Sequence, residues 1–165
     1  MRRTLVILRH AKADRPAGVA DIDRPLTGRG HADAGAAGAW LASRRYAPDL
    51  VLCSPAKRTR QTWHGVAVAL ADSPAPEVRY ENGLYYDGIT ETLELLHSMP
   101  DDVGTVLLIG HNPTMSMLST VLDRGAERDS DGLRTSGIAV HELEGDWSAY
   151  APGAAPLVAT ETARA

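Results

Sequence analysis

The hydrophobic pattern of the chain is built from short apolar runs separated by longer stretches of mixed polarity. The clearest runs are residues 4–8, 50–53 and 105–109, which contain no charged side chain. A strand that is buried on both faces gives this kind of uninterrupted run. Between the runs, apolar residues recur at helical spacing, for example Leu93, Leu96 and Met99. Short strands that alternate with helices predict an α/β fold.

Local start and stop signals set the approximate limits of the predicted elements. Thr27 is a suitable N-cap for the first helix, Pro55 suits the first turn of the second, and Asn112-Pro113 opens the last. The predicted helices are 28–45, 55–71, 89–99 and 113–122. The predicted strands are 4–8, 50–53, a short one around Val78, 105–109 and 138–143. The alternating pattern of 138–143 is typical of an edge strand, with 147–150 as its predicted partner.

The remaining segments indicate one domain spanning residues 1–165, without repeats or a linker. The polar segments 11–25 and 123–136 are predicted loops whose conformations the pattern does not specify. The Ala- and Pro-rich tail from about residue 151 is expected to be loosely ordered. Three glycines in the first predicted helix, Gly30, Gly35 and Gly38, lower its helix propensity and are expected to allow close packing on the sheet.

Cationic and imidazole side chains follow the three clearest strands directly. Arg9 and His10 end the first run, Ser54-Pro55 and then Arg58 follow the second, and His111 follows the third. Ligands of open α/β sheets bind beyond the carboxyl ends of the strands, so these groups should meet at one edge of the sheet. Arginine binds phosphate bidentately, and the N-termini of the following helices also favour an anion. The pattern therefore predicts an oxyanion site.

Such a site suits phosphoryl transfer, in which the protein mainly positions and neutralises the phosphoryl oxygens. The nucleophile could be a water activated by a metal or a side chain. Metal chemistry is disfavoured because no His-x-x-x-His, Cys pair or dense Asp cluster lies near the strand ends, and Asp14, Asp21 and Asp23 lack ligand spacing. A neutral imidazole is the better candidate, since neighbouring arginines lower its pKa.

Composition narrows the function classes further. Apolar residues make up 44% and charged residues 23% of the chain, as in an ordinary soluble protein. The net charge of −4 gives no basic footprint for nucleic acid, and no apolar run is long enough for a membrane helix. The run after Met1 stops at Arg9, too early for a signal peptide, and Cys53 is the single cysteine. We therefore expect a cytoplasmic protein with neither a nucleic-acid nor a membrane partner.

Four segments in order match a known family. They are Leu8-Arg9-His10-Ala11, Arg24-Pro25-Leu26-Thr27-x-x-Gly30, Ser54-Pro55-Ala56-Lys57-Arg58-Thr59-Arg60-Gln61-Thr62 and Ile109-Gly110-His111-Asn112-Pro113. In these segments the chain resembles the histidine phosphatase superfamily, most closely its small phosphohistidine phosphatase (SixA-type) branch. The resemblance implies a phosphoglycerate mutase-like fold, a three-layer α/β/α sandwich with a mostly parallel mixed sheet, and no metal or cofactor.

The resemblance also implies roles for individual residues. His10 would be the phosphorylated nucleophile, with Arg9, Arg58 and His111 as the phosphate pocket around it. Arg24, on the loop after the first strand, is expected to fold over the pocket and bind a phosphate oxygen. Larger members carry an acidic residue that protonates the leaving group, and Glu81 is the nearest candidate here.

The expected function is that of a metal-independent phosphatase with a phosphohistidine intermediate, acting on a phosphohistidine-bearing protein. A weak or missing acid favours labile P–N or acyl-phosphate substrates, because imidazole, for example, leaves more readily than an alkoxide. Two alternatives stay open. One is a sugar-phosphate or nucleotide phosphatase or a mutase of the same fold, and the other is an inactive module that binds phosphorylated ligands. The intact His10 argues against the second, since binding alone does not need a nucleophile.

Overall fold

The computed structural model describes all 165 residues, and its centre is one six-stranded sheet. The strands are β1 (Arg2–Arg9), β2 (Leu50–Cys53), β3 (Glu77–Tyr80), β4 (Thr105–Gly110), β5 (Gly137–Glu144) and β6 (Leu157–Thr162). Their spatial order is β3-β2-β4-β1-β5-β6. Neighbours from β3 to β1 are parallel, whereas β5 runs antiparallel to both β1 and β6. The sheet is therefore mixed and mostly parallel, as predicted.

Helices cover both faces of this sheet. They are α1 (Gly28–Ser43), α2 (Lys57–Ala69), α3 (Gly83–Tyr86), α4 (Ile89–His97) and α5 (Thr114–Leu122). Alternate residues of β1 point to opposite faces. Leu5 and Ile7 belong to the core shared with α4 and α5, whereas Val6 and Leu8 belong to the core shared with α1 and α2. This arrangement is the predicted three-layer α/β/α sandwich, and no helix is both long and apolar enough to cross a membrane.

The C-terminal part of the sheet differs from the sequence-based expectation. Residues 147–149 form a short 3-10 turn, and β6 instead pairs with β5, which is consequently an internal strand. The tail is thus a strand where loose order was expected. Most of its apolar side chains are alanines, but Ala155 and Ala163 are buried and the backbone N–H groups of residues 153 and 155 donate to carbonyls at the end of α5. These backbone contacts leave little trace in the hydrophobic pattern.

Several helix limits also differ by a few residues. Thr27 caps α1 as predicted, its hydroxyl accepting from the Gly30 N–H. The α2 helix begins at Lys57, so Ser54-Pro55-Ala56 form a turn before it and Arg58 lies in its first turn. The α5 helix begins at Thr114, and the Asn112 side chain accepts from the Ser116 N–H and hydroxyl rather than capping one residue before the helix. Asn112 still satisfies groups in the first turn.

Candidate active site

Strand register brings His10 and His111 together. In the parallel pair β1–β4, Arg9 lies opposite Gly110, so the next residue of each strand emerges at the same level. The His10 N–H continues the ladder by donating to the Gly110 carbonyl. The two imidazole centroids are 5.4 Å apart. The predicted meeting of these two side chains beyond the carboxyl ends of the strands is therefore found.

Backbone contacts fix the tautomer of His10. Its Nδ1 lies 2.7 Å from the Ala11 carbonyl oxygen, and because a carbonyl only accepts, Nδ1 carries the proton. The lone pair of a neutral ring then lies on Nε2. Burial, with smaller contributions from His111, Arg58 and Arg9, lowers the pKa of His10 to about 3. A neutral ring with one free nitrogen is what a nucleophilic imidazole requires.

His111 is oriented by two neighbours from other elements. Its Nε2 lies 2.8 Å from the hydroxyl of Ser54, which also accepts from the Ala56 N–H in the turn before α2. The ring of Tyr85 from α3 packs edge-on against it, with 5.5 Å between centroids. Burial, followed by the charge of Arg58, lowers the pKa of His111 to about 4. Both histidines are consequently neutral near pH 7.

Arg9 and Arg58 enter the pocket with part of their hydrogen-bonding capacity unused. Nη1 of Arg9 donates to the Leu133 carbonyl, and both terminal nitrogens of Arg58 donate to Asp21. Their Nε atoms are buried without a partner, as is Nδ1 of His111. These are three of the five buried, unpartnered side-chain nitrogen or oxygen atoms in the protein. Buried polar groups are normally paired, so this concentration indicates a site that a ligand completes.

The loop 11–25 forms the outer wall of the pocket. It is held by an isolated bridge between Ala13 and Leu26 and by the Thr27 N–H, which donates to the Lys12 carbonyl. Lys12 and Arg15 from this loop line the same cavity of about 340 Å³ as His10. The remaining lining residues are Arg9, Ala13, Asp21, Arg24, Arg58, His111, Asn112 and Thr135. Five cations thus face a single carboxylate, which suits a highly anionic ligand.

Comparison with known proteins agrees with this geometry. A family model described as the histidine phosphatase superfamily (branch 1) matches residues 5–84. An uncharacterized protein of Mycobacterium tuberculosis is 44% identical over 158 residues, which cover 92% of this chain and 96% of the relative. The chain belongs to the histidine phosphatase superfamily.

Solved structures identify the branch of the superfamily. A protein from Nakamurella multipartitia, provisionally named the phosphohistidine phosphatase SixA, is 35% identical with a TM-score of 0.82, and the match covers 99% of this chain and 97% of that one. The protein histidine phosphatase SixA in complex with tungstate is 27% identical with a TM-score of 0.76, covering 96% of each chain. This histidine phosphatase is therefore of the SixA type.

Glu81, the predicted proton donor, lies outside the pocket of this histidine phosphatase. It lines a separate depression together with Leu84, Asp87 and Glu91. The chain turns into α3 almost directly after Glu81, and that short helix presents Tyr85 to His111 instead. A direct role of Glu81 at the phosphoryl group therefore has no geometric support.

Arg24 lines the pocket as predicted, but its guanidinium is held by the loop itself. Nε donates to the Asp14 carbonyl at 2.9 Å and Nη1 donates to the Asp21 carboxylate at 3.2 Å. Sequence reasoning considered Asp21 only as a metal ligand and missed this contact. The signal was the spacing of three residues between Asp21, the first residue of a 3-10 turn, and Arg24, which directly follows that turn. The structure brings together no cluster of three His, Cys, Asp or Glu side chains with the geometry of a metal site.

Proposed function

We propose that this histidine phosphatase hydrolyses phosphohistidine on a protein partner through a covalent phospho-His10 intermediate. The observation that carries the proposal is the group of unpartnered nitrogens around the free Nε2 of His10: Nε of Arg9, Nε of Arg58 and Nδ1 of His111. A phosphoryl group at this point would supply the acceptors that these nitrogens lack. Phosphoryl transfer needs this combination of a positioned nucleophile and neutralised oxygens.

In the first step, Nε2 of His10 attacks phosphorus while the bond from phosphorus to the leaving nitrogen breaks. The electron pair of that bond goes to the leaving imidazole, which takes a proton from solvent. Arg9 and Arg58 neutralise the charge on the three phosphoryl oxygens. When the Ser54 hydroxyl donates to Nε2 of His111, the proton of His111 lies on Nδ1, from which it donates to a phosphoryl oxygen.

In the second step, water attacks the phosphorus of phospho-His10. The Nε2–P bond breaks, its electron pair returns to Nε2, and the proton lost by water passes to phosphate or solvent. The Ala11 carbonyl holds Nδ1–H throughout, so the ring leaves the cycle in the tautomer in which it entered. The depressed pKa of His10 favours this return, because the free ring is neutral at pH 7.

The preference for a P–N substrate rests on which acidic side chains line the pocket and whether they can donate a proton. Its single carboxylate, Asp21, is ionised because the hydrogen bond from Tyr85 and those from Arg58 and Arg24 hold its pKa far below the usual range. An ionised carboxylate donates no proton, and Glu81 lines another depression. An alkoxide leaving group needs such a proton, whereas imidazole needs less assistance.

A substrate panel tests the proposal. Phosphate release is measured for a phosphohistidine-bearing protein, phosphoramidate, a sugar phosphate and a nucleotide, with wild type and His10→Ala compared in the presence of EDTA. We expect the highest kcat/KM for the P–N substrates and none for His10→Ala. A higher kcat/KM for the sugar phosphate or nucleotide would contradict the substrate class, and no turnover of any substrate would favour a binding module.

A further inference from the structure

The cationic pocket already contains one anion of its own, the side chain of Asp21. Its Oδ2 accepts from the Tyr85 hydroxyl at 2.6 Å and from Nη2 of Arg58 at 3.1 Å, while Oδ1 accepts from Nη1 of Arg24 at 3.2 Å. The backbone carbonyl of Asp21 accepts from Nη1 of Arg58 at 2.7 Å. Two of the arginines expected to bind the phosphoryl group are thus engaged by a carboxylate.

The two sides of this contact differ in how firmly they are held. The Arg58 side chain is 7% exposed, in the first turn of α2, whereas the Asp21 side chain is 53% exposed at the mouth of the pocket. Replacing Asp21 as the partner of Arg58 therefore requires the hydrated carboxylate to move, while the guanidinium stays in place. A phosphoryl dianion, with three oxygens and more charge than a carboxylate, is suited to do this.

We propose that Asp21 competes with the phosphoryl group for Arg58 and Arg24, an inference that rests on the proposed phosphate pocket. The competition weakens the binding of every anion, including the product phosphate. A larger substrate can offset this loss of affinity with contacts outside the phosphoryl pocket. Free phosphate makes no such contacts and is released readily.

Titration calorimetry with inorganic phosphate at constant ionic strength tests this inference on the intact protein. We expect Asp21→Asn to bind phosphate up to about fivefold more tightly, as loss of one partly exposed ionic competitor implies. Tyr85→Phe keeps the ring against His111 but removes one hydrogen bond that holds Asp21, so its affinity should rise by a smaller factor. Asp23→Asn is the matched control, because Asp23 lies in the same 3-10 turn without a side-chain hydrogen bond or ion pair, and its affinity should equal that of wild type.

Opposite results would overturn the inference clearly. Weaker phosphate binding by Asp21→Asn would mean that Asp21 positions the arginines for the ligand rather than competing with it. An equal gain in phosphate affinity in Asp21→Asn and Asp23→Asn would show that only the net charge of the protein matters. A lack of phosphate binding in every variant would show that the pocket is not an anion site. If Asp21→Asn does not fold, an unchanged affinity in Tyr85→Phe contradicts the inference. Because binding is measured without turnover, a failure of the proposed substrate class would leave this result intact.

Discussion

At the scale of single residues, the chemistry of the site depends on a backbone carbonyl. The Ala11 oxygen fixes the proton of His10 on Nδ1, and the Ala11 N–H in turn donates to the hydroxyl of Thr62 in α2. Thr62 donates to the Arg58 carbonyl. The nucleophile and the arginine one turn earlier in α2 are therefore tied through two hydrogen bonds. These hydrogen bonds hold Ala11, in the loop after β1, in a fixed position relative to α2.

The buried neutral histidines predict a pH dependence of stability. Burial holds the pKa of His10 at about 3 in the folded protein, well below the value of about 6.5 expected for an unfolded chain. The unfolded state therefore binds the proton first as the pH falls. With respect to His10, the free energy of unfolding is highest above about pH 6.5 and decreases progressively toward pH 3. Each such imidazole should lower the free energy of unfolding by up to about 1.4 kcal/mol per pH unit in this range.

Urea unfolding at about pH 7 and about pH 4.5 measures this effect for His10. We expect His10→Gln to lose less stability than wild type between the two conditions, because one proton-binding group of the unfolded state is gone. His31→Gln is the control, since His31 is exposed on α1. Equal losses in wild type and His10→Gln would show that His10 is not a buried neutral base.

At the scale of elements, α1 and α2 pack closely against each other on one face of the sheet. A Cβ on Gly38 would lie 2.6 Å from the Val66 carbonyl oxygen, and one on Gly65 would lie 2.7 Å from the Cβ of Ala34. The close approach that glycine allows is thus between two helices, where the sequence predicted an approach to the sheet. Gly30 differs again, because its Cβ would meet the Lys12 carbonyl of the pocket loop at 2.1 Å.

This packing predicts opposite effects for two alanine substitutions in α1. Gly38→Ala should destabilise the protein, because an overpacking cost of about 1–3 kcal/mol exceeds the gain in helix propensity. Gly35→Ala should instead stabilise it by about 0.5–1 kcal/mol, since a Cβ at Gly35 meets nothing within 4 Å. Thermal unfolding of both variants checks the pair. Stabilisation by Gly38→Ala would show that α1 and α2 are less closely packed than described.

At the scale of the whole molecule, the predictable part of the fold is the part that buries large side chains. Strands β1, β2 and β4 are central and buried except at the ends of β1 and at the start of β4, so their apolar runs predicted both their positions and the residues that follow them. By contrast, β6 mixes half-buried and exposed residues at the margin of the sheet, and its apolar run of three residues, Leu157-Val158-Ala159, is too short to indicate a strand. What fixes β6 is its ladder to β5, a long-range pairing that local pattern does not encode.

The same distinction applies to the pocket. The meeting of Arg9, His10, Arg58 and His111 follows from adjacent parallel strands, whose order could be expected from the fold class. The position of Asp21 depends instead on the course of the loop 11–25, and that of Tyr85 on a four-residue helix. Both segments are fixed by contacts with distant residues, so their side chains could not be assigned from the sequence. The central claim, that His10 is the phosphorylated nucleophile, therefore concerns a residue that the sheet itself positions.

The most direct test of that claim is to trap the covalent intermediate. A phosphohistidine protein labelled with radioactive phosphate is mixed with enzyme, quenched in alkali within one turnover, and the label is located by peptide mapping. We predict acid-labile, alkali-stable label on His10, absent from His10→Ala and unchanged in the exposed-surface control His64→Ala. Full turnover by His10→Ala, or label on another residue, would contradict the account.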